Sequence, residues 1–394
     1  MPKPKDLANK DGSVFEEPPG SGKWRAQLYI DGKIVRRRAT SERNAHAKLR
    51  ELIKLRDAGV EVGTGKMKLS AWLEEWYVIL ARAKRKPGTI AGHRETCNRY
   101  VVPYLGDRSV DAIRAKQIDE WRDMLTSRGL AEWTIKNAFN RLNSALNVAV
   151  RRGMILRNPC DQVEFPPPPG ERRTAVLDTT QLLALLDVLA EHRQYAIFVV
   201  GGTLGLRPSE LIGLRVGALT LDGDSPSLVV REQLQRIKDG DGKTVLHRER
   251  STKGGREDKP NPRTIPLTAE LVVVLRKHLA AMTEERAKRG VEPAEPGPDE
   301  LLFVTERGAP INDRNLLRTL HRACARAGVP RVSLHSLRHT AGSVMLAQGA
   351  QIIDVSAVLG HANANITASI YGHSFDAGKR SAVAAASAAL LRRG

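Results

Sequence analysis

Four consecutive prolines at 166–169, inside the stretch FPPPPGERR (165–173), divide this 394-residue chain more sharply than any other feature. Proline lacks the amide hydrogen and fixes φ, so such a run cannot enter a helix interior or a central strand and favours extended polyproline. The stretch 166–173 is expected to be a semi-rigid spacer with a lobe on each side. At about 100–200 residues per domain, the chain length also calls for two or three domains.

Near the start, KWRAQLYIDGKIVRRRAT sets Trp24, Ala26, Leu28 and Ile30 against Arg25, Gln27 and Tyr29, then turns at Asp31-Gly32 into a second alternating run. That pattern predicts a hairpin. Ser41 then opens a helical pattern through Ala45, Leu49, Leu52 and Leu55, so 1–65 reads as a three-stranded sheet carrying one helix. Its outward face presents Arg25, Lys33, Arg36 and Arg38. A basic ribbon of this kind fits the major groove of DNA, although it also serves as a solvated sheet face.

From 66 to 165 the apolar spacing becomes three and four, in LSAWLEEWYVILARA, TIAGHRETCNRYVVPYLG, VDAIRAKQIDEWRDMLTSRG and AEWTIKNAFNRLNSALNVAVRRG. These predict a four-helix domain. Gly106, Gly129 and Gly153 stand at helix ends and are expected to be left-handed caps. Lys84, Arg85 and Lys86 between the first two helices are candidate DNA contacts.

Beyond the spacer, helices are expected at about 179–192, 208–216, 268–289, 313–327, 334–348, 352–359 and 364–371. They surround two strand-like runs, SLVVREQLQRI and TVLHRERST, with RTIPL after them. The fold class is therefore α+β and multidomain: a small N-terminal sheet with a helix, a helical domain, and a mainly helical lobe with a small antiparallel sheet.

The formal charge of +19 is positive over each of 1–65, 66–165 and 166–394, which suits a molecule laid along a polyanion. Cys97, Cys160 and Cys324 form no CxxC or Cys/His spacing, so neither a zinc site nor a disulfide framework is expected. The most apolar run, YAIFVVGGTLGL (195–206), is shorter than the roughly 20 residues that cross a bilayer. A soluble cytoplasmic protein without a membrane partner is expected.

Three motifs beyond the spacer carry chemistry. In TLGLRPSELIGL (203–214), Pro208 suits a first helical turn, putting Arg207 at the helix entrance with Glu210 one turn on to orient its guanidinium. In SLHSLRHTAGSVMLAQG (333–349), a cap at Ser333 makes Leu334, Leu337, Ala341 and Val344 the buried stripe. His335 and Arg338 then share a neighbouring face, and His339 is expected to be structural. In LGHANANITASIYGH (359–373), Gly360 ends a helix, His361 follows on a loop, and Tyr371 shares a short helix with Thr367.

Taken in order, Arg, Glu, a lysine in a β-turn, His-x-x-Arg, Leu-Gly-His and then Tyr resemble the tyrosine recombinase (phage integrase) family. The resemblance covers 174–380 by motif and extends loosely to 66–165 and 1–65 as core-binding and arm-binding domains, with 174–394 as the catalytic domain. It implies a site-specific DNA recombinase that integrates or excises a mobile element. Tyr371 would attack phosphorus and leave a 3′-phosphotyrosine and a free 5′-hydroxyl, with Arg207 and Arg338 stabilising the charge that develops. His335 would be the base and His361 a donor to a non-bridging oxygen. Lys253 is favoured over Lys259 as the acid for the leaving oxygen. The ester conserves bond energy, so no ATP, metal or other cofactor is implied.

The same resemblance implies double-stranded DNA with core and arm sites as partner, and a homotetramer on it. It allows a DNA-bending host factor and an excisionase, in a bacterial or phage-encoded protein associated with the nucleoid. The alanine-rich tail SAVAAASAALLRR (381–393) would either dock on a neighbouring protomer or fold back on its own domain. A type IB topoisomerase and a non-catalytic DNA-binding regulator of the same fold are the alternatives.

Overall fold

The computed structural model describes residues 12–30, 33–57, 67–165, 175–239, 242–250, 261–361 and 365, with the Lys33 side chain outside that set. The chain divides into two units, 1–171 with the hairpin tip 237–243, and 172–236 with 244–394.

In the first unit, β1 (Ser13–Glu16), β2 (Trp24–Ile30) and β3 (Lys33–Ala39) form an antiparallel sheet in that order, and α1 (Glu42–Asp57) packs on one face. Ala26, Leu28 and Ile30 point inward against Leu49 and Leu52, as the period of two requires. The opposite face carries the cross-strand pairs Arg25 with Arg38, Gln27 with Arg36 and Tyr29 with Ile34. Arg25 is ion-paired with Glu17, and Arg36 donates Nε to Gln27 Oε1 at 2.9 Å.

A second core in this unit belongs to α2 (Leu69–Arg82), α3 (Pro87–Tyr100), the single turn α4 (Val102–Leu105), α5 (Ala115–Ser127) and α6 (Glu132–Arg151). Trp72, Trp76, Tyr77 and Trp121 are fully buried in it. Two details depart from expectation. The third helix opens at Ala115 rather than Val110, because 110–112 form a 3-10 turn and Ile113 and Arg114 are extended. Gly129 and Gly153 adopt positive φ, but Gly106 is right-handed at φ −59°. Close packing explains that glycine: a Cβ there would stand 2.4 Å from the Val102 carbonyl oxygen.

The second unit is built around α8 (Tyr195–Leu204), which α7 (Thr179–Leu189), α9 (Pro208–Gly213), α10 (Ala269–Lys288) and α12 (Leu334–Ala347) contact. The sequence pattern does not predict α8, and the reason is physical. A helix buried on every side has no polar face, so it shows no amphipathic period. Helices α11 (Asp313–Ala327) and α13 (Ile352–Leu359) complete the lobe.

Among the described residues the strands here form two sheets. The first has the order β4 (Leu219–Thr220), β5 (Ser227–Val230), β8 (Arg263–Pro266), all antiparallel; the second pairs β6 (Gln233–Lys238) with β7 (Thr244–Glu249). The single run SLVVREQLQRI therefore breaks at Arg231 and Glu232. Helix α9 stops at Gly213, where the start of β6 crosses its end and a Cβ would lie 2.8 Å from the Leu234 amide nitrogen.

Candidate active site

Arg207 is placed by two helix ends. Helix α8 terminates at Gly205 in the left-handed conformation (φ 63°), Leu206 is buried, and α9 starts with Pro208, leaving Arg207 as its N-cap. A Cβ at Gly205 would meet Leu359 of α13 at 2.4 Å and Ala341 of α12 at 3.2 Å, so these helices close on the same point.

Arg338 sits on α12, which begins with reciprocal bonds between Ser333 and Ser336: each backbone amide donates to the other's hydroxyl at 3.0 Å. The buried stripe is Leu334, Leu337 and Ala341, with Val344 half-buried. Arg338 is only 2% exposed and donates Nη1 to the Gly205 carbonyl at 2.9 Å. His335 is exposed on the same helix. Its ring meets that of His339 edge-on, with centroids 4.9 Å apart. Burial, then the charge of Arg338, pushes His339 below its ordinary value, so it packs as a neutral ring.

Glu210 is fully buried and holds two arginines. It accepts Arg207 Nη1 at 2.8 Å and the Arg207 amide at 2.9 Å, together with Arg263 Nη1 at 3.1 Å and Nη2 at 2.8 Å. Burial alone would raise its carboxyl, but the hydrogen bonds and charge of Arg263, and then Arg207, hold it down to about 2. Arg207 Nη2 goes on to the Gly360 carbonyl at 2.8 Å, and Arg263 Nε to the Val358 carbonyl at 2.9 Å. His361 follows directly, half-buried, its amide donating to the Ser356 carbonyl at 3.0 Å.

The hairpin that leads toward 251–260 is fastened by polar contacts to the buried side chains of Glu232, Gln233 and Glu249. Glu232 accepts Arg215 Nε at 2.5 Å, Arg248 Nε at 2.9 Å and Arg248 Nη2 at 2.6 Å. Ser209 on α9 donates to Gln233 Oε1 at 3.2 Å, and Gln233 Nε2 donates to buried Glu249 at 2.9 Å.

The structure thus brings together Arg207, Glu210, Arg338 and His361, with His335 on the helix that carries Arg338. Tyr371, Lys253 and Lys259 lie outside the described residues, as do the spacer 166–173, the expected helix 364–371 apart from residue 365, and the tail 381–393. Lys84 and Arg85 are exposed between α2 and α3, with Lys86 half-buried. Among the described residues no group of three His, Cys, Asp or Glu side chains is arranged to hold a metal, and no helix is long and apolar enough to cross a membrane.

Two features have no counterpart among the sequence expectations. Arg263 stands in the sequence only as the first letter of RTIPL, yet it shares a strand face with buried Ile265, and an arginine in an inward register calls for a buried partner. The other is the basic face of α11, an expected helix, on which exposed Arg314, Arg318 and Arg322 recur every four residues. Arg318, His321, Arg322 and Arg331 line an open cleft of about 820 Å³.

Arg207 at a helix entrance, His-x-x-Arg on a capped helix and a histidine just past a glycine-ended helix are the arrangement that the resemblance to tyrosine recombinases implies. The profile of the Phage integrase family matches residues 175–377, over half of the chain, and that of the Phage integrase SAM-like domain matches 73–164. The chain belongs to the phage integrase family, and is a site-specific recombinase that cleaves and rejoins DNA.

A tyrosine recombinase XerC-like protein of Caldanaerobacter subterraneus subsp. tengcongensis is 28% identical over 370 residues, spanning 90% of this chain and 92% of its own. An integrase of Streptomyces ambofaciens is 24% identical over 360 residues, spanning 88% and 87%. Among solved structures, the Tn1549 transposon integrase in complex with transposon right end DNA superposes with a TM-score of 0.64 at 20% identity, covering 81% of this chain and all of that one. A lambda integrase dimer bound to a core site gives 0.54 at 14% identity, covering 94% and 96%. These likenesses agree with the α+β fold.

Proposed function

We propose that Tyr371 attacks a DNA phosphodiester through its phenolic oxygen. The P–O5′ bond breaks as the P–O(Tyr) bond forms, giving a 3′-phosphotyrosine and a 5′-hydroxyl. His335 takes the phenolic proton, Lys253 supplies one to the departing O5′, and His361 donates to a non-bridging oxygen. Arg207 and Arg338 hold the charge that gathers on phosphorus oxygens, where fixed donors act most strongly in the transition state. A 5′-hydroxyl from a second DNA strand then reverses the step, so bond energy is conserved.

The observation that supports this reading is convergence: Arg338 grips the carbonyl of Gly205, two residues before Arg207, while Arg207 grips that of Gly360, one residue before His361. In this proposal 1–65 binds arm sites through Arg25, Arg36 and Arg38, while position 33, which pairs with inward Ile30, falls in the opposite register from that face and is left out of the expected set. The domain 66–165 binds core sites with Lys84, Arg85 and Lys86, 166–173 is the linker, and 174–394 is catalytic. Four copies assemble on DNA in the cytoplasm, with a bending host factor and an excisionase as further partners.

The test is a nicked suicide duplex carrying a core site selected from random DNA by binding to the purified protein. The wild-type chain forms a covalent adduct and Tyr371→Phe forms none. An adduct from Tyr371→Phe overturns the assignment.

A further inference from the structure

We propose that Arg263 is a positioning residue of the catalytic centre: by sharing Glu210 with Arg207 and capping the end of α13, it sets both the Arg207 guanidinium and the His361 loop. The inference rests on the roles given above to Arg207 and His361.

Three observations carry it. The carboxylate of Glu210, with no exposed surface, takes four bonds, two from each arginine, so neither guanidinium can turn without leaving a buried oxygen short. The same two side chains hold the carbonyls of residues 358 and 360, at the C-terminal end of α13, where partial negative charge favours cations. Lastly, the Arg263 guanidinium occupies the space beside Gly360: a Cβ there would lie 2.8 Å from Nη1 and 2.9 Å from Cζ. The strand β8, the entrance to α9 and the loop after α13 are thereby joined through one ion cluster. Arg263 itself is 12% exposed and is committed to protein acceptors on both edges.

Without Arg263, Glu210 loses two of its four bonds. Arg207 is then the one cation left on it in this cluster, and the most economical repair turns both Arg207 Nη groups onto the carboxylate and releases Gly360. The phosphate-binding geometry changes while the DNA-binding surface does not. A misplacement of about 1 Å in such a site costs on the order of 10²-fold in rate.

The experiment compares wild type, Arg263→Gln, Arg263→Lys and the double variant Arg263→Gln/Glu210→Gln on the suicide duplex, measuring single-turnover cleavage and DNA affinity between pH 5 and 8. The expected result for Arg263→Gln is a cleavage rate lower by about 10²-fold with affinity held within about twofold. It should also show an acid limb absent from wild type, because a buried carboxyl with one guanidinium in place of two takes up its proton at higher pH. The double variant stays slow but loses the acid limb, and Arg263→Lys recovers part of the rate.

Wild-type rate in Arg263→Gln overturns the proposal. So does a loss of affinity equal to the loss of rate with an unchanged pH profile, which would mark a DNA contact. Should Arg263→Gln fail to fold, Arg263→Lys is decisive: slower cleavage at unchanged affinity upholds the proposal and an unaltered rate overturns it. Tyr371→Phe separates the two levels. If wild type forms no adduct, the functional reading fails; if adducts depend on Tyr371 but not on Arg263, only this inference fails.

Discussion

Arg338, 2% exposed, donates to the carbonyl of Gly205, the residue that ends α8 and turns the chain into Arg207. Arg338 is thus fastened to the turn that leads into Arg207, whose own guanidinium holds the Gly360 carbonyl. Replacing Arg338 with Met keeps the bulk and removes the charge and its donors. Cleavage should fall by about 10²–10³-fold. The lost bond to the Gly205 carbonyl should lower stability by about 1–3 kcal/mol. Single-turnover cleavage and urea denaturation measure the two effects separately, and a rate within about threefold of wild type would remove Arg338 from the reaction.

Glycine at 360 answers two constraints at once, a left-handed φ of 67° and the Arg263 guanidinium filling the space where a Cβ would stand. Gly129 has a similar φ of 74°, but the space where a methyl group would stand is open, with nothing within 4 Å. Gly129→Ala should therefore cost only the left-handed strain, about 1–2 kcal/mol. Gly360→Ala should cost more and also slow cleavage, because the arginine must move. Equal losses in the two variants, read by thermal unfolding, would refute the close approach.

Glu210 ties stability to acid. Its folded value, about 2, lies below the ordinary 4.5, so its contribution is complete above the unfolded value and disappears as pH falls from about 4.5 through 2. The size of that contribution is about 3 kcal/mol, as an order of magnitude. Glu210→Gln should remove this part of the pH dependence. Urea unfolding of both proteins between pH 2 and 7 checks it, and parallel curves would contradict the assignment.

How much of the fold and site is legible in the sequence follows from what kind of signal each residue leaves. Ser333, Leu334, Leu337 and Ala341 announce a capped amphipathic helix, so spacing alone sets His335 and Arg338 on it. Helix α8 leaves no period because it is buried all round. The break at Glu232 is hidden for another reason: the strand pattern continues through it, and only the distant Arg215 and Arg248 explain why a carboxylate is buried there. Arg263 is silent in the same way, since its partner lies 53 positions upstream. Local order is written in periods and caps, whereas long-range ion clusters need the folded chain.

That buried Glu232 also separates two kinds of ion pair. Removing one member of a buried cluster leaves charges without compensation and typically costs about 3–5 kcal/mol. Glu232→Ala leaves Arg215 and Arg248, which are partly exposed and can turn to water, so its cost should fall below this range, at about 1–3 kcal/mol. Glu284, exposed and paired with Lys288 on α10, should give no measurable change in denaturation midpoint when replaced by Ala. Chemical denaturation of both variants decides whether the hairpin depends on its cluster, and equal midpoints would show that it does not.

Lys84 is the one non-glycine residue with positive φ among the described residues, at 53° in the turn between α2 and α3. Holding a lysine there costs about 1–2 kcal/mol relative to glycine, and such strain persists where the side chain is needed. Lys84→Gly relieves the strain and deletes the charge, so stability and DNA binding should move in opposite directions. The melting temperature should hold or rise. The slope of log K against log salt should shrink by about 0.9 if one phosphate contact is lost. Titration of a core-site duplex at several salt concentrations measures that slope; an unchanged slope would make Lys84 a strained residue with no part in DNA binding.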